Sequence, residues 1–343
     1  MKAVDYKCPS CNAVLKYNPK DKNWKCEYCG TPYTLEDLEK NAEHYEESKA
    51  SETNEVEMDE YSCPNCGALI VADSNTAATF CVYCKNTAIL KSRLTSKFAP
   101  EKVIPFSKTK QDAIDAFRSL SKGKKFMPKE FTNKNNINDI KGVYIPFWLY
   151  SCKGDSMIKG EGTKVSTWTT FDYKYTKTDT YEILREKNIP FNYIPTDGST
   201  RFDDAIMNSI EPFNYDELID FNYSYLSGFL AEKYDVEKET AKQSAITRAK
   251  RSAIDELMRD ISYSSFEKHG DSFKTTEESF TYALLPVYML NIKYNGKMYP
   301  FAMNGETGKM IGNIPYSKGK AFKYYLTVML ISFAILCLIS YLL

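Results

Sequence analysis

The sequence of 343 residues predicts an α+β chain with two tandem N-terminal ribbons, a mixed antiparallel-sheet and helix domain, and one C-terminal transmembrane helix. Three observations carry that prediction. Two matched cysteine quartets lie near the N-terminus, aromatic-rich segments of strand and helix periodicity fill the middle, and an uncharged apolar run closes the sequence.

In the first quartet, Cys8-x2-Cys11 is followed after fourteen residues by Cys26-x2-Cys29; in the second, Cys63-x2-Cys66 is followed after fourteen by Cys81-x2-Cys84. A Cys-x2-Cys turn aims two thiolates at one point, and a second such turn completes a tetrahedron of soft ligands, the donor set of a structural Zn2+ site. The flanks repeat as well: Cys-Pro-Ser-Cys-Asn-Ala-Val-Leu matches Cys-Pro-Asn-Cys-Gly-Ala-Leu-Ile, and Cys-Glu-Tyr-Cys matches Cys-Val-Tyr-Cys. Two zinc ions, one per ribbon, are therefore expected. Iron in a rubredoxin-like centre also suits four thiolates. Disulfides would need an oxidising compartment, and Met1–Lys7 has no apolar signal-peptide core. Modules of roughly 30 to 35 residues bury too little to fold unaided, so metal binding should supply much of their folding free energy. The second ribbon departs from the first at one position, carrying Lys85 where the first has Gly30.

The expected boundaries are residues 1–34 for the first ribbon, 35–60 for an acidic helix and linker, 61–99 for the second ribbon, 100–317 for the α+β domain and 324–343 for the anchor. The linker holds eleven Asp/Glu against two Lys, with Leu35, Leu38, Ala42 and Tyr45 at helical spacing. Each ribbon carries a charge of +3 before its metal, and the chain balances 45 Lys+Arg against 45 Asp+Glu. Phosphate contacts dominate nucleic-acid affinity, so this pattern disfavours a nucleic-acid partner. The twenty residues from Tyr324 to Leu343 carry no charge. At 1.5 Å per residue they span roughly 30 Å, about one bilayer core. Lys318, Lys320 and Lys323 precede them, so the positive-inside rule predicts a single-pass cell-membrane protein with cytoplasmic soluble domains. Cys337 reads as an apolar filler of the span.

Within the α+β domain, Ser107–Leu120 reads as a helix capped by Ser107 or Thr109, with Ala113, Ile114, Ala116, Phe117 and Leu120 on one face. Residues 142–150 read as a buried strand. Residues 165–183 alternate with period two over part of their length, setting Val165, Thr167, Thr169, Phe171, Tyr173 and Tyr175 against Trp168 and its neighbours, and read as a two-sided antiparallel sheet. A long helix over 236–261 carries the stripe Ala245, Ala249, Ala253, Ile254, Leu257 and Ile261; its Lys242, Arg248, Lys250 and Arg251 share it with five carboxylates and predict a solvated face. Strands at 284–294 and 298–303 join through Asn295-Gly296, and 304–308 forms a second turn.

The segments Gly-Val-Tyr-Ile-Pro-Phe-Trp (142–148), Ile-Glu-Pro-Phe (210–213), Tyr-Leu-Ser-Gly-Phe-Leu-Ala-Glu-Lys-Tyr-Asp (225–235), Leu-Pro-Val-Tyr-Met-Leu (285–290) and Tyr-Pro-Phe-Ala-Met-Asn-Gly-Glu-Thr-Gly-Lys (299–309) carry a resemblance. Together with the ribbons, the chain resembles a bacterial family labelled TFIIB-type or primosomal-helicase-like zinc-ribbon proteins, particularly its membrane-anchored YdjG-like members. The resemblance covers nearly the whole chain. It implies recruitment of a PspA-type phage-shock homologue and a flotillin-like SPFH protein to the membrane. The helicase label finds no support, because the chain has no Gly-x4-Gly-Lys-Ser/Thr phosphate loop.

Catalytic signatures are absent from the sequence. Its two histidines, His44 in the linker and His269 in an expected polar loop, neighbour no candidate nucleophile, and Cys152 after the buried strand reads as inert core. No enzymatic activity and no small-molecule substrate are expected. The leading reading is a membrane-anchored zinc-ribbon adaptor of an envelope-stress complex, because tethering raises the effective concentration of partners at the bilayer. The alternatives are a membrane-associated nucleic-acid-binding ribbon protein and a redox or metal sensor whose thiolates release zinc on oxidation.

Overall fold

A computed structural model describes residues 8–40, 58–63, 68–73, 81–83, 90–93, 100–201, 204–259 and 261–342. Ala42, His44, Tyr45, Cys66, Cys84 and Lys85 lie outside the described residues.

The first ribbon is a three-stranded antiparallel sheet of β1 (Leu15–Asn18), β2 (Asn23–Cys26) and β3 (Pro32–Tyr33). A helix, α1, follows over residues 35–40, and Leu38 buries itself in the core. The chain re-enters as β4 (Met58–Ser62), so the expected acidic linker ends in a strand; β5 (Leu69–Asp73) and β6 (Leu90–Arg93) flank β4. These three belong to an eleven-stranded sheet with β7 (Lys102–Val103), β8 (Lys141–Thr170), β9 (Tyr173–Asp197), β10 (Ile219–Asp220), β11 (Leu230–Glu232), β12 (Ser265–Tyr294), β13 (Lys297–Asn304) and β14 (Met310–Gly312). Most pairings are antiparallel, but β11 runs parallel to β8 and β7 parallel to β12. Segments 61–99 and 100–317 thus share one sheet, through β5 on β11.

Five further helices are α2 (Lys110–Ser121), α3 (Lys134–Asn138), α4 (Asp204–Ile210), α5 (Lys238–Met258) and α6 (Lys318–Leu342). Thr109 caps α2 through a reciprocal capping box with Asp112, which satisfies two orphan amide donors. Residues 142–150 are apolar throughout because both faces of β8 are covered. Val143, Ile145, Phe147 and Leu149 join an aliphatic layer with Leu285, Val287 and Met289, while Tyr144 and Trp148 join an aromatic layer on the opposite face. A strand covered on both sides loses period-two polarity. The Asn295-Gly296 turn forms as expected, both residues having positive φ (49° and 76°), as a two-residue hairpin requires.

The largest departure from the sequence reading is the length of three strands. β8 and β12 each run 30 residues and β9 runs 25. At about 3.3 Å per residue, a 30-residue strand reaches roughly 100 Å end to end. Their distal halves leave the core as an arm. Helix α5 lies along one face of it, and Ala241, Ala245, Ala249, Ala253 and Leu257 are buried there. Small side chains let helix and sheet approach closely. Of the expected stripe, Ile254 is half-buried, and Ile261 lies beyond the helix. His269 is in β12, not a loop, at a register shift between Lys268 and Gly270.

Beyond Thr163, where β12 ends, the arm narrows to the β8–β9 hairpin alone. The turn falls at Phe171-Asp172, inside the segment read as a partly alternating antiparallel sheet. A two-residue turn reverses the parity of alternation. Trp168 therefore pairs with Tyr175 on one face, with ring centroids 5.7 Å apart and planes 15° from parallel, whereas unbroken alternation set them on opposite sides.

Candidate metal centre

In the first ribbon the two Cys-x2-Cys turns face each other. The ligand sulfurs of Cys8, Cys11, Cys26 and Cys29 all lie within 4.8 Å of one another. Cys8 Sγ is 3.6 Å from Cys29 Sγ, and Cys11 Sγ is 3.5 Å from Cys26 Sγ. A disulfide needs about 2.05 Å. Four thiolates at about 2.3 Å from a tetrahedral Zn2+ sit about 3.8 Å apart, so the donor set fits a metal of that size.

Local backbone geometry holds the sulfurs. The first turn closes through Cys8 N–H to Ala13 O (2.8 Å) and Asn12 N–H to Cys8 O (2.8 Å), and the second through Gly30 N–H to Cys26 O (3.0 Å). Gly30 has φ +74°, a conformation that side chains resist, and its successor Thr31 accepts from Cys26 N–H. Tyr33 hydroxyl lies 3.3 Å from Cys8 Sγ and 2.8 Å from Ser10 Oγ. Cys8 and Cys26 are buried and Cys29 is exposed. Burial pushes the Cys8 thiol up, but the Tyr33 hydroxyl with the backbone at Cys11 and Ser10 outweighs it and lowers the thiol to about 6. The Thr31 hydroxyl and backbone lower Cys29. Cys11 moves the other way, to about 12: its contact with the Ala13 backbone favours the thiolate, yet desolvation and the sulfurs of Cys26, Cys8 and Cys29 together outweigh that. Four thiolates so close repel one another, and a divalent cation between them removes that repulsion.

The ribbon is seated on the main domain. Trp24 Nε1–H donates to Ser224 O (2.9 Å), and Tyr17, Trp24 and Tyr225 form an aromatic trio with centroids 5.1 to 5.4 Å apart. The ribbon residues Leu15, Tyr17, Trp24 and Cys26 are continuous with the aromatic layer of the core. Lys22 pairs with Glu217 at 2.6 Å across the same junction.

Of the second quartet, the described residues include Cys63 and Cys81, buried together against Ala68. Cys63 N–H donates to Ala68 O at 2.9 Å, repeating the Cys8–Ala13 bond of the first ribbon at the equivalent positions. Cys66 and Cys84 lie outside the described residues. Core elements grip this segment directly. Val71 and Ile70 of β5 pair with Ala231 and Glu232 of β11, and buried Asn291 Nδ2 on β12 donates to Val82 O (2.7 Å) and Tyr83 O (3.0 Å), inside the Cys81–Cys84 turn. Glu232 is buried beside Ser199, whose hydroxyl donates to Glu232 Oε1 at 2.8 Å; desolvation raises this carboxyl to about 7.

Away from the cysteines, α6 is long and apolar enough to cross a membrane: Lys318–Tyr341 contains an 18-residue window of mean hydropathy 2.0, none of it buried. Three of the four basic residues singled out on α5 pair with carboxylates: Arg248 with Glu211 (2.6 Å), Lys250 with Asp271 (2.6 Å), and Lys242 with Glu278; the fourth, Arg251, is exposed. Cys152 is buried, and burial raises its thiol. The feature that the sequence reading missed is the exposed arm tip: Phe171 is 97% exposed, Tyr173 70% and Trp168 48%. Its signal was present in the alternation of residues 165–183.

Compared with known proteins, the chain is 34% identical over 327 residues to YdjG of Bacillus subtilis strain 168, an uncharacterized protein, covering 94% of this chain and 93% of that one. The chain belongs to the YdjG family. No protein-family model and no solved structure matches it.

Proposed function

We propose that this member of the YdjG family is a membrane-anchored, non-catalytic zinc-ribbon adaptor. Its Cys8/Cys11/Cys26/Cys29 and Cys63/Cys66/Cys81/Cys84 sets each hold one Zn2+, α6 spans the cell membrane, and the soluble body faces the cytoplasm. The observation that carries the reading is β12. One end, at Tyr294, lies against Phe131 beside the segment that meets α6, and the other end, at Ser265, reaches the base of the exposed hairpin tip. A strand of roughly 100 Å between an apolar helix and an exposed aromatic tip suits holding a partner away from a bilayer. By resemblance, the partners are a PspA-type protein and a flotillin-like SPFH protein of an envelope-stress complex. The ion pairs of α5 leave the nucleic-acid alternative without its best basic surface.

The test is affinity purification of the intact protein from gently solubilised membranes beside a version lacking 324–343, with bound proteins and nucleic acid both identified. Nuclease-resistant recovery of PspA-like or flotillin-like proteins with the intact chain is the expected result. Recovery of nucleic acid that is lost at moderate salt, with no protein partner, would overturn the adaptor reading.

A further inference from the structure

The loop after α2 is fastened to the start of α6 by four separate contacts. Ser317 N–H donates to Phe126 O (2.7 Å), Lys320 Nζ donates to Met127 O (2.7 Å), Phe126 packs on Tyr324 and Tyr325 (centroids 5.3 and 6.2 Å), and Lys125 Nζ sits 5.8 Å from the Tyr324 ring centroid. This loop is distant in sequence from the anchor, yet it is held at the height where α6 turns apolar. Lys122, Lys124 and Lys125 are exposed on it, and Lys318 and Lys323 are exposed on the first turns of α6. Among the described residues none of these five lysines forms an ion pair. The chain as a whole is neutral, so the cluster is a local concentration of charge. Tyr324 and Tyr325, 45% and 64% exposed, occupy the depth where aromatic side chains favour the bilayer interface.

We infer that residues 122–127 form a second membrane contact, a foot that binds the phosphate headgroups of anionic phospholipids beside the anchor. The chemistry is a non-specific cluster of ammonium groups on long apolar stems facing a negative surface, with Phe126 at the interface. A single helix leaves a soluble body free to tilt. A foot fixed to that helix and held against the headgroups restrains the tilt and directs the arm away from the bilayer. The inference rests on the reading of α6 as a membrane span.

The test uses the full chain carrying Phe126→Trp, reconstituted in nanodiscs of phosphatidylcholine with or without phosphatidylglycerol, the lipids brominated near the headgroup. Quenching of the new indole, corrected for the unsubstituted chain, is expected to be about twofold or more greater with phosphatidylglycerol. That difference should vanish at high salt and in Lys122→Gln/Lys124→Gln/Lys125→Gln, and free glycerol phosphate added to neutral discs should not reproduce it. Equal quenching in both lipids from a chain that resists carbonate extraction would overturn the foot alone. A chain that carbonate strips from the bilayer would overturn the anchor reading and the foot with it.

Discussion

The two cysteine-bearing segments share a sequence pattern and the same turn-closing hydrogen bond, but they are embedded differently. The first forms its own three-stranded sheet and touches the domain mainly through side chains, Trp24 on Ser224 and the trio with Tyr17 and Tyr225, with one backbone bond from Tyr17 N–H to Ser227 O (3.3 Å). The second has no separate sheet among the described residues: β5 is hydrogen-bonded into the main sheet through β11, and Asn291 reaches from β12 into its second turn. The same motif therefore serves once as a docked module and once as part of the core. Loss of metal from the first should be a local event, while loss from the second should propagate into the sheet.

The sharpest break of that comparison is Cys81→Ser against Cys8→Ser. Structural zinc contributes on the order of 10 kcal/mol to small sites. We expect Cys81→Ser to lower the thermal midpoint of the whole domain, followed by circular dichroism, and Cys8→Ser to lower it little while local protease sensitivity rises around residues 8–33. Equal midpoints would erase the distinction. Next in size, Trp24→Ala removes the docking anchor and should cost about 3 to 5 kcal/mol of ribbon seating while leaving metal content unchanged, read by hydrogen exchange at β1 and β2.

The junction of the second segment with the core also has a pH signature. Glu232 is raised to about 7 by burial, so its folded form holds a proton that the unfolded chain releases near its ordinary range. Its stabilising contribution is complete below that range and is lost as pH rises through about 7. Glu232→Gln should therefore flatten the decline between about pH 5 and 7 and stabilise the protein at pH 8 by up to about 3 kcal/mol, measured by urea denaturation across pH. An unchanged profile would remove Glu232 from the account. Smaller still, Asn291→Ala leaves Val82 O and Tyr83 O without their side-chain donor and should cost about 1 to 3 kcal/mol, detectable as a lower urea midpoint with no change at the first ribbon.

Much of this organisation was legible because it rests on local chemistry. Cysteine spacing depends only on turn geometry, the Thr109–Asp112 box and the Asn295-Gly296 hairpin are encoded within four residues, and α6 needs nothing beyond apolar length. What was not legible is long-range. The turn at Phe171-Asp172 carries no Gly or Asn-Gly signature, and Phe171 adopts a positive φ of 50° there, so the sequence indicated antiparallel sheet over 165–183 without placing the reversal. Trp24 and Asn291 carry no sequence signal of their role because their partners lie 200 and more than 200 positions away. The cysteines of the second set looked identical to the first, since sequence records the ligands and not the sheet they join.

Elemental analysis of the purified full-length protein, before and after graded chelation with the fold followed in parallel, tests the central claim most directly. The account predicts two zinc ions per chain, the first leaving while the domain stays folded and the second leaving only as the main sheet unfolds. A single metal per chain, or two released together with no loss of the fold, would contradict it.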